Sequence, residues 1–192
     1  MSNIFIFHGV GGCPEENWFP WLKQKLENQG HKVFIPQFPT PENQTLENWL
    51  KVLEQYKQYL DKHSILIGHS LGVPFILNVI EKHIVNAVFL VAGFVGKADN
   101  EFDEGMKTFA QREFDWAKIK NNCNNFYIYH SDNDPYLSLE KAERVSKNLD
   151  TEIKVVKGAG HFNKSAGYTI FDLLLEDIKG LLNKPESQHS SI

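Results

Sequence analysis

The chain has 192 residues, of which 42% are hydrophobic and 23% are charged, a balance that predicts one soluble globular domain with a substantial core. Its formal net charge of −4 gives no reason to expect binding to nucleic acid or to an anionic membrane. The first apolar run is too short for a signal sequence or a membrane span, and two cysteines, Cys13 and Cys123, are too few for a disulfide framework. We therefore expect a cytoplasmic protein with reduced thiols.

Short apolar runs alternate with segments of helical periodicity along the whole chain. Six runs are predicted as strands, and most of them are nearly continuous in apolar residues, as burial on both faces requires. They are Ile4–Phe7, Lys32–Ile35, Ser64–Ile67, Ala87–Val91, Phe126–His130 and Glu152–Val156. The predicted helices are Phe19–Gln29, a helix from near Thr45 to Leu60, Ser70–Lys82, Ser138–Asn148 and Ala166–Leu182. This alternation predicts an α/β fold with a doubly wound, mostly parallel six-stranded sheet and helices on both faces.

Two segments depart from the alternation. The connection from Gly93 to Lys120 is long, charged and rich in aromatic residues, which is typical of a lid or a pocket wall. Its aromatic side chains either line an acyl pocket or pack the connection onto the core; they are Phe94, Phe102, Phe109, Phe114 and Trp116. Residues 184–192 are polar and are expected to form a flexible tail after a single domain over residues 1–183.

The segment Gly68-His69-Ser70-Leu71-Gly72 matches the pattern G-x-S-x-G between a predicted strand and a predicted apolar helix. Such a sharp turn lifts the serine hydroxyl above the sheet, and the glycines allow neighbouring backbone to approach closely. A glycine-rich turn with a helix-capping serine is the structural alternative, but the flanking strand and helix favour a nucleophile. We predict Ser70 as the nucleophile and the N–H of Leu71 as an oxyanion donor. His69 is expected to fix the turn or to line the substrate pocket.

A serine hydroxyl needs a base to accept its proton, and the base is usually oriented by a carboxylate. Asp132 and Asp134 follow the fifth predicted strand in SDNDPYL, and His161 follows the sixth in KGAGHFN. The order serine, acid, histidine is that of α/β-hydrolases. Because the carboxyl ends of parallel strands share one edge of the sheet, we expect these side chains to converge on Ser70.

A glycine-rich turn, His8-Gly9-Val10-Gly11-Gly12, follows the first strand and is suited to supply a second oxyanion donor. Val10 is the first choice for that N–H group and Gly11 is the reserve. The turn lacks the full G-x-G-x-x-G and a G-K-[ST] continuation, so nucleotide binding is disfavoured.

Together these motifs resemble the small α/β-hydrolases of the retinoblastoma-binding protein 9 type. The resemblance covers residues 8–163 and depends on HGVGG, ENWFPWL, IGHSLG, FDWAKIKNNC, SDNDPYL and GAGHF. It implies a compact serine hydrolase with little or no cap domain, in which Ser70 is the nucleophile, His161 the base and Asp134, directly before a proline, the acid. Asp132 is then expected to accept backbone N–H groups of its turn. The Leu-x-Cys-x-Glu motif of the human relative is replaced here by YLDKHS, so that protein contact is not implied.

Other polar residues are assigned no chemistry. His8, His69, His130 and His161 lack the spacing of known zinc motifs, so we predict neither a metal site nor a cofactor. His69, Phe94 and Trp116 are the candidate pocket residues.

The sequence thus predicts a carboxylesterase-type serine hydrolase that cleaves small acyl esters, or small amides, through an acyl-enzyme. An aminopeptidase or an acyltransferase with the same triad is the alternative within enzymes. A non-catalytic scaffold that binds proteins is the alternative outside them, although an intact triad argues against it. No particular protein partner is predicted.

Overall fold

The computed structural model describes residues 1–183, and the predicted flexible tail at 184–192 lies outside the described residues. A sheet of six strands forms the centre, in the order β2-β1-β3-β4-β5-β6, and its neighbouring strands are all parallel. The strands are β1 (Asn3–Phe7), β2 (Lys32–Phe34), β3 (Ile65–His69), β4 (Ala87–Val91), β5 (Asn125–Ser131) and β6 (Ile153–Val156). The prediction of a doubly wound parallel α/β sheet is confirmed.

Seven α-helices cover the two faces of this sheet. They are α1 (Phe19–Glu27), α2 (Leu46–Glu54), α3 (Gly72–Ile80), α4 (Asp103–Ala110), α5 (Trp116–Asn122), α6 (Leu139–Leu149) and α7 (Asp172–Leu182). Short 3-10 helices lie at Lys57–Tyr59 and Lys164–Ala166. No helix within residues 1–183 is long and apolar enough to cross a membrane.

Alternate side chains of each strand enter two separate cores, because successive residues of a strand point to opposite faces. Ile4 and Ile6 of β1 pack with α1 and α7, whereas Phe5 and Phe7 pack with α2 to α6. Each fully buried aliphatic or aromatic side chain contributes roughly 1.5–3 kcal/mol to folding. Burial on both faces explains why β1, β3 and β4 are continuous apolar runs in the sequence. The edge strands β2 and β6 are partly exposed.

The helices differ from the predictions at three places. The helix predicted from near Thr45 to Leu60 ends at Glu54 and is followed by the separate 3-10 helix at Lys57–Tyr59. The last helix begins at Asp172 and not at Ala166, because Gly167 has a left-handed φ of +86° that ends a 3-10 turn. The connection from Gly93 to Lys120 contains α4 and α5, neither of which was predicted.

The start of α3 lies against the end of β1, and this contact leaves no room for a side chain. A Cβ atom at Gly72 would lie 2.3 Å from the carbonyl oxygen of Phe7, and one at Gly68 would lie 2.7 Å from the backbone of Gly72. The two glycines of the G-x-S-x-G pattern therefore allow β1, β3 and α3 to meet at one point.

We predict that Gly72→Ala lowers the free energy of unfolding by about 3 kcal/mol or more, because backbone must move to admit the methyl group. Gly180→Ala is the control: residue 180 lies in α7 and a Cβ atom there meets nothing within 4 Å. That change should be neutral or stabilising by up to about 1 kcal/mol. Urea-induced unfolding of both variants measures the difference, and equal stabilities would contradict the close approach.

Candidate active site

Ser70 lies at the turn between β3 and α3 with a φ of +54°, a left-handed conformation that residues other than glycine seldom adopt. Its N–H donates to the carbonyl of Val91 at 2.9 Å, and its carbonyl accepts from the N–H of Val73 at 3.0 Å. These two bonds attach the turn to β4 and to the first residues of α3. Helix α3 begins at Gly72, so its partly positive N-terminal end adjoins the serine.

Asp134 and His161 form a hydrogen-bonded pair, with Nδ1 of the ring 2.7 Å from Oδ2 of the carboxylate. Asp134 also accepts the N–H groups of Tyr136 at 2.9 Å and Leu137 at 3.1 Å. Burial is the largest influence and raises the pKa of Asp134, but the His161 hydrogen bond and charge, together with the two N–H groups, hold that pKa below its usual value. The carboxylate therefore stays ionised, and Nε2 is the ring nitrogen of His161 left for chemistry.

Ser70 and His161 line one cavity of about 320 Å³. Within residues 1–183, the Ser70 hydroxyl makes no hydrogen bond to the ring of His161. The structure thus brings the three predicted residues to one edge of the sheet, with the acid and base bonded and the serine beside them. In ligand-free enzymes the hydrogen bond between a catalytic serine and its histidine is often long, and it shortens when substrate binds.

Asp132 has a different position from Asp134. Its Oδ1 accepts the N–H of Gly158 at 2.7 Å, and its side chain is exposed. It therefore ties the turn after β5 to the loop that precedes His161, which agrees with the expectation that it accepts backbone N–H groups.

The glycine-rich turn after β1 lies directly against Ser70. A Cβ atom on Gly9 would be 3.0 Å from the Cβ of Ser70, and Val10 lines the cavity. The N–H groups of Val10 and Leu71 have no acceptor within the described part of the chain. The N–H of Gly11, the reserve choice, is used by Thr40, whose Oγ1 accepts it at 2.6 Å. Val10 and Leu71 thus have the N–H groups that are free to bind an oxyanion.

His8 positions this turn, a role that the sequence analysis missed. The ring donates from Nδ1 to the carbonyl of Gly9 at 2.8 Å and accepts at Nε2 from the N–H of Phe38 at 3.1 Å. Burial lowers the pKa of His8, so the ring is neutral and can both donate and accept. The feature of the sequence that could have indicated this role is the location of His8 directly before Gly9 in the HGVGG motif.

His69 joins the serine turn to the His161 loop and also lines the cavity. Its Nε2–H donates to the carbonyl of His161 at 2.7 Å, and its Nδ1 has no partner within residues 1–183. Burial, aided by the charge of His161, lowers the pKa of His69 to about 3. His69 is therefore neutral at physiological pH.

His130 likewise donates from Nε2 to the carbonyl of Leu137, at 3.0 Å, and burial lowers its pKa. No three histidine, cysteine, aspartate or glutamate side chains in the described residues are grouped so that they could hold a metal ion.

The walls of the cavity differ in part from the prediction. Phe94 and Phe102 line it, but Trp116 does not. Trp116 begins α5 and lies beside Phe114 in a separate surface depression. Other residues that line the cavity were not predicted from the sequence. The apolar ones are Met106, Tyr136 and Leu137, and the polar ones include Glu16, Asn17 and Lys164.

Known proteins resemble this chain along nearly its whole length. YdeN of Bacillus subtilis is 27% identical over 187 residues, which are 95% of this chain and 97% of that protein. RBBP9 of Rattus norvegicus, a serine hydrolase, is 28% identical over 176 residues, which are 91% of each chain.

Solved structures share the fold. The crystal structure of the ydeN gene product of B. subtilis matches with a TM-score of 0.88 at 26% identity, covering 96% of this chain and 100% of that one. Est1E of Butyrivibrio proteoclasticus with ferulic acid bound matches with a TM-score of 0.71 at 16% identity, covering 95% and 88%. The serine hydrolase family model matches residues 4–179. The chain therefore belongs to the serine hydrolase family and is an enzyme with hydrolase activity.

Proposed function

We propose that the protein is a carboxylesterase that hydrolyses small acyl esters through Ser70, His161 and Asp134. One observation carries this proposal: an ionised, buried Asp134 binds Nδ1 of a histidine that lines the same cavity as the strained Ser70. A serine, a base and an orienting acid at the carboxyl edge of a parallel sheet are the components of acyl transfer.

In the proposed reaction, Ser70 Oγ attacks the ester carbonyl while Nε2 of His161 takes the hydroxyl proton. Asp134 holds Nδ1–H and stabilises the imidazolium that forms. The imidazolium then gives its proton to the departing alcohol, leaving an acyl-serine. Water activated by His161 attacks this acyl group and releases the acid and the free serine.

The negative charge on the carbonyl oxygen is held by the N–H groups of Val10 and Leu71. Both have no other acceptor in the described chain, and the N-terminal end of α3 adds a favourable field. Their positions are fixed by His8 on one side and by the contact of α3 with β1 on the other, so little reorganisation is needed when charge develops.

The size of the cavity supports small substrates. A volume of about 320 Å³ is at the low end of the roughly 300–1,000 Å³ of ligand pockets. Phe94, Met106 and Leu137 supply an apolar surface for a short acyl chain.

We predict that Ser70→Ala abolishes ester hydrolysis and labelling by a fluorophosphonate, because the nucleophile is lost while the buried core is unchanged. Ser138→Ala is the control, since the Ser138 side chain does not bond to its helix. Mass spectrometry of the labelled protein locates the phosphonate. A label on any other serine would show that the nucleophile is wrongly assigned.

A second prediction compares the two aspartates. Asp134→Asn should reduce kcat by a factor on the order of 10⁴, because an amide favours the wrong imidazole tautomer. Asp132→Asn should have little effect, because an amide oxygen still accepts the N–H of Gly158. Steady-state rates on p-nitrophenyl butyrate measure both, and a larger loss at Asp132 would reassign the acid.

A third prediction tests the neutral state of His69, which the proposal needs because a cation there would oppose the imidazolium of His161. The pKa of His69 is lowered from 6.5 to about 3 by folding. The unfolded chain therefore takes up a proton as the pH falls below 6.5, and the folded protein does not, so stability is present above that pH and lost below it. The loss is on the order of 1 kcal/mol per pH unit.

Urea unfolding at pH 7.5, 6.5 and 5.5 measures this loss in His69→Gln, which retains a side-chain donor. The variant should lose less stability on acidification than the wild type. His63→Gln, at an exposed site, serves as the control and should match the wild type. Equal pH slopes for all three proteins would mean that His69 takes up a proton in the folded protein as readily as in the unfolded chain, which contradicts the lowered pKa.

A further inference from the structure

The cavity beside Ser70 has two walls of opposite character. Phe94, Phe102, Met106 and Leu137 form an apolar wall. Glu16, Asn17, Asn163, Lys164 and Ser165 form a polar wall. A substrate that fits both walls has an apolar part and a polar part on the two sides of the bond that is cleaved.

The polar wall adjoins the loop of His161, the proposed donor of a proton to the leaving alcohol. His161 must give a proton to the leaving oxygen, so the leaving group lies next to the His161 loop, which supplies residues 163–165 of this wall. The segment that carries Glu16 is fixed to the same loop. The side-chain oxygen of Asn17 accepts the N–H of Lys164 at 2.8 Å, and Trp18 Nε1 donates to the carbonyl of Phe162 at 3.0 Å.

The charges on this wall are not equivalent. Glu16 is half-buried, and no lysine, arginine or histidine nitrogen lies within 4.0 Å of its carboxylate in residues 1–183. Lys164 has an exposed side chain, so water and salt screen its ammonium group. Because a charge removed from water is screened less, Glu16 makes the larger contribution to the potential in the cavity.

We infer that Glu16 forms a subsite for a positively charged leaving group, so that the preferred substrates are esters of alcohols that carry an ammonium group. This inference rests on the proposed function, since it requires Ser70 and His161 to cleave the ester. The apolar wall receives a short acyl chain, and the cation of the departing alcohol lies beside the Glu16 carboxylate. The products are the carboxylic acid and the free amino alcohol.

Two esters with the same acyl group test the subsite. Butyrylcholine and 3,3-dimethylbutyl butyrate have leaving groups of nearly the same shape, which differ in whether the central atom is a positively charged nitrogen or a neutral carbon. We expect the wild type to have the higher kcat/KM for butyrylcholine. Glu16→Gln should lower the ratio of the two kcat/KM values by about fivefold or more, chiefly through the KM for butyrylcholine, because the charge acts in the bound substrate as well as in the transition state. Glu16→Lys should lower the ratio further.

Glu15→Gln is the matched control, because Glu15 is the exposed neighbour and does not line the cavity. It should leave the ratio unchanged, and unaltered thermal unfolding midpoints show that the variants are folded. A ratio that does not respond to Glu16→Gln, or a wild-type preference for the neutral ester, overturns the subsite. Hydrolysis of p-nitrophenyl butyrate but of neither test ester overturns the substrate class and leaves the esterase proposal standing. Absence of all ester hydrolysis and of labelling at Ser70 overturns the proposed function and this inference with it.

Discussion

The close contact between the start of α3 and the end of β1 is the constraint on which the rest of the site depends. With no side chain at Gly72, the helix backbone reaches the carbonyl oxygen of Phe7. This approach forces the chain at Ser70 into its left-handed turn and brings the glycine-rich loop after β1 against the same serine. One packing contact therefore sets both the exposed hydroxyl and the N–H groups proposed to bind the oxyanion. The strain at Ser70 is tolerated because β1, β3 and β4 hold the turn on several sides.

Three buried histidines hold the loops of this edge through main-chain oxygens. His8 donates to Gly9, His69 donates to the carbonyl of His161, and His130 donates to Leu137. Burial lowers the pKa of each ring, so all three are neutral donors, and among the histidines of residues 1–183 only His161 is paired with a carboxylate. A sequence rich in histidine near a hydrolytic site suggests metal ligands, but here the imidazoles connect one loop to the next.

The strands and the serine turn were predictable because their signals are local. Burial on both faces requires a continuous apolar run, and the turn at Ser70 requires glycine at fixed offsets. The walls of the cavity were less predictable because tertiary packing decides them. Trp116 is a large aromatic residue of the kind that often lines a pocket, but it lies beside Phe114 in a separate surface depression. Glu16 and Lys164 line one cavity, and the hydrogen bond that joins their loops links residues 17 and 164, a separation of 147 positions that no local pattern encodes.

That long-range bond has a consequence for how the enzyme is made. The serine turn and the glycine-rich loop leave the ribosome early, whereas Asp134 and His161, the proposed acid and base, follow the last two strands. The bond from His69 to the carbonyl of His161 spans 92 residues, and the bonds from Asn17 and Trp18 span 147 and 144. Contacts between residues so far apart in the sequence form only when the entropic cost of closing the long loop between them is offset. A partly synthesised chain therefore carries Ser70 without His161, and under the proposed mechanism reactivity toward esters begins when the sheet is complete.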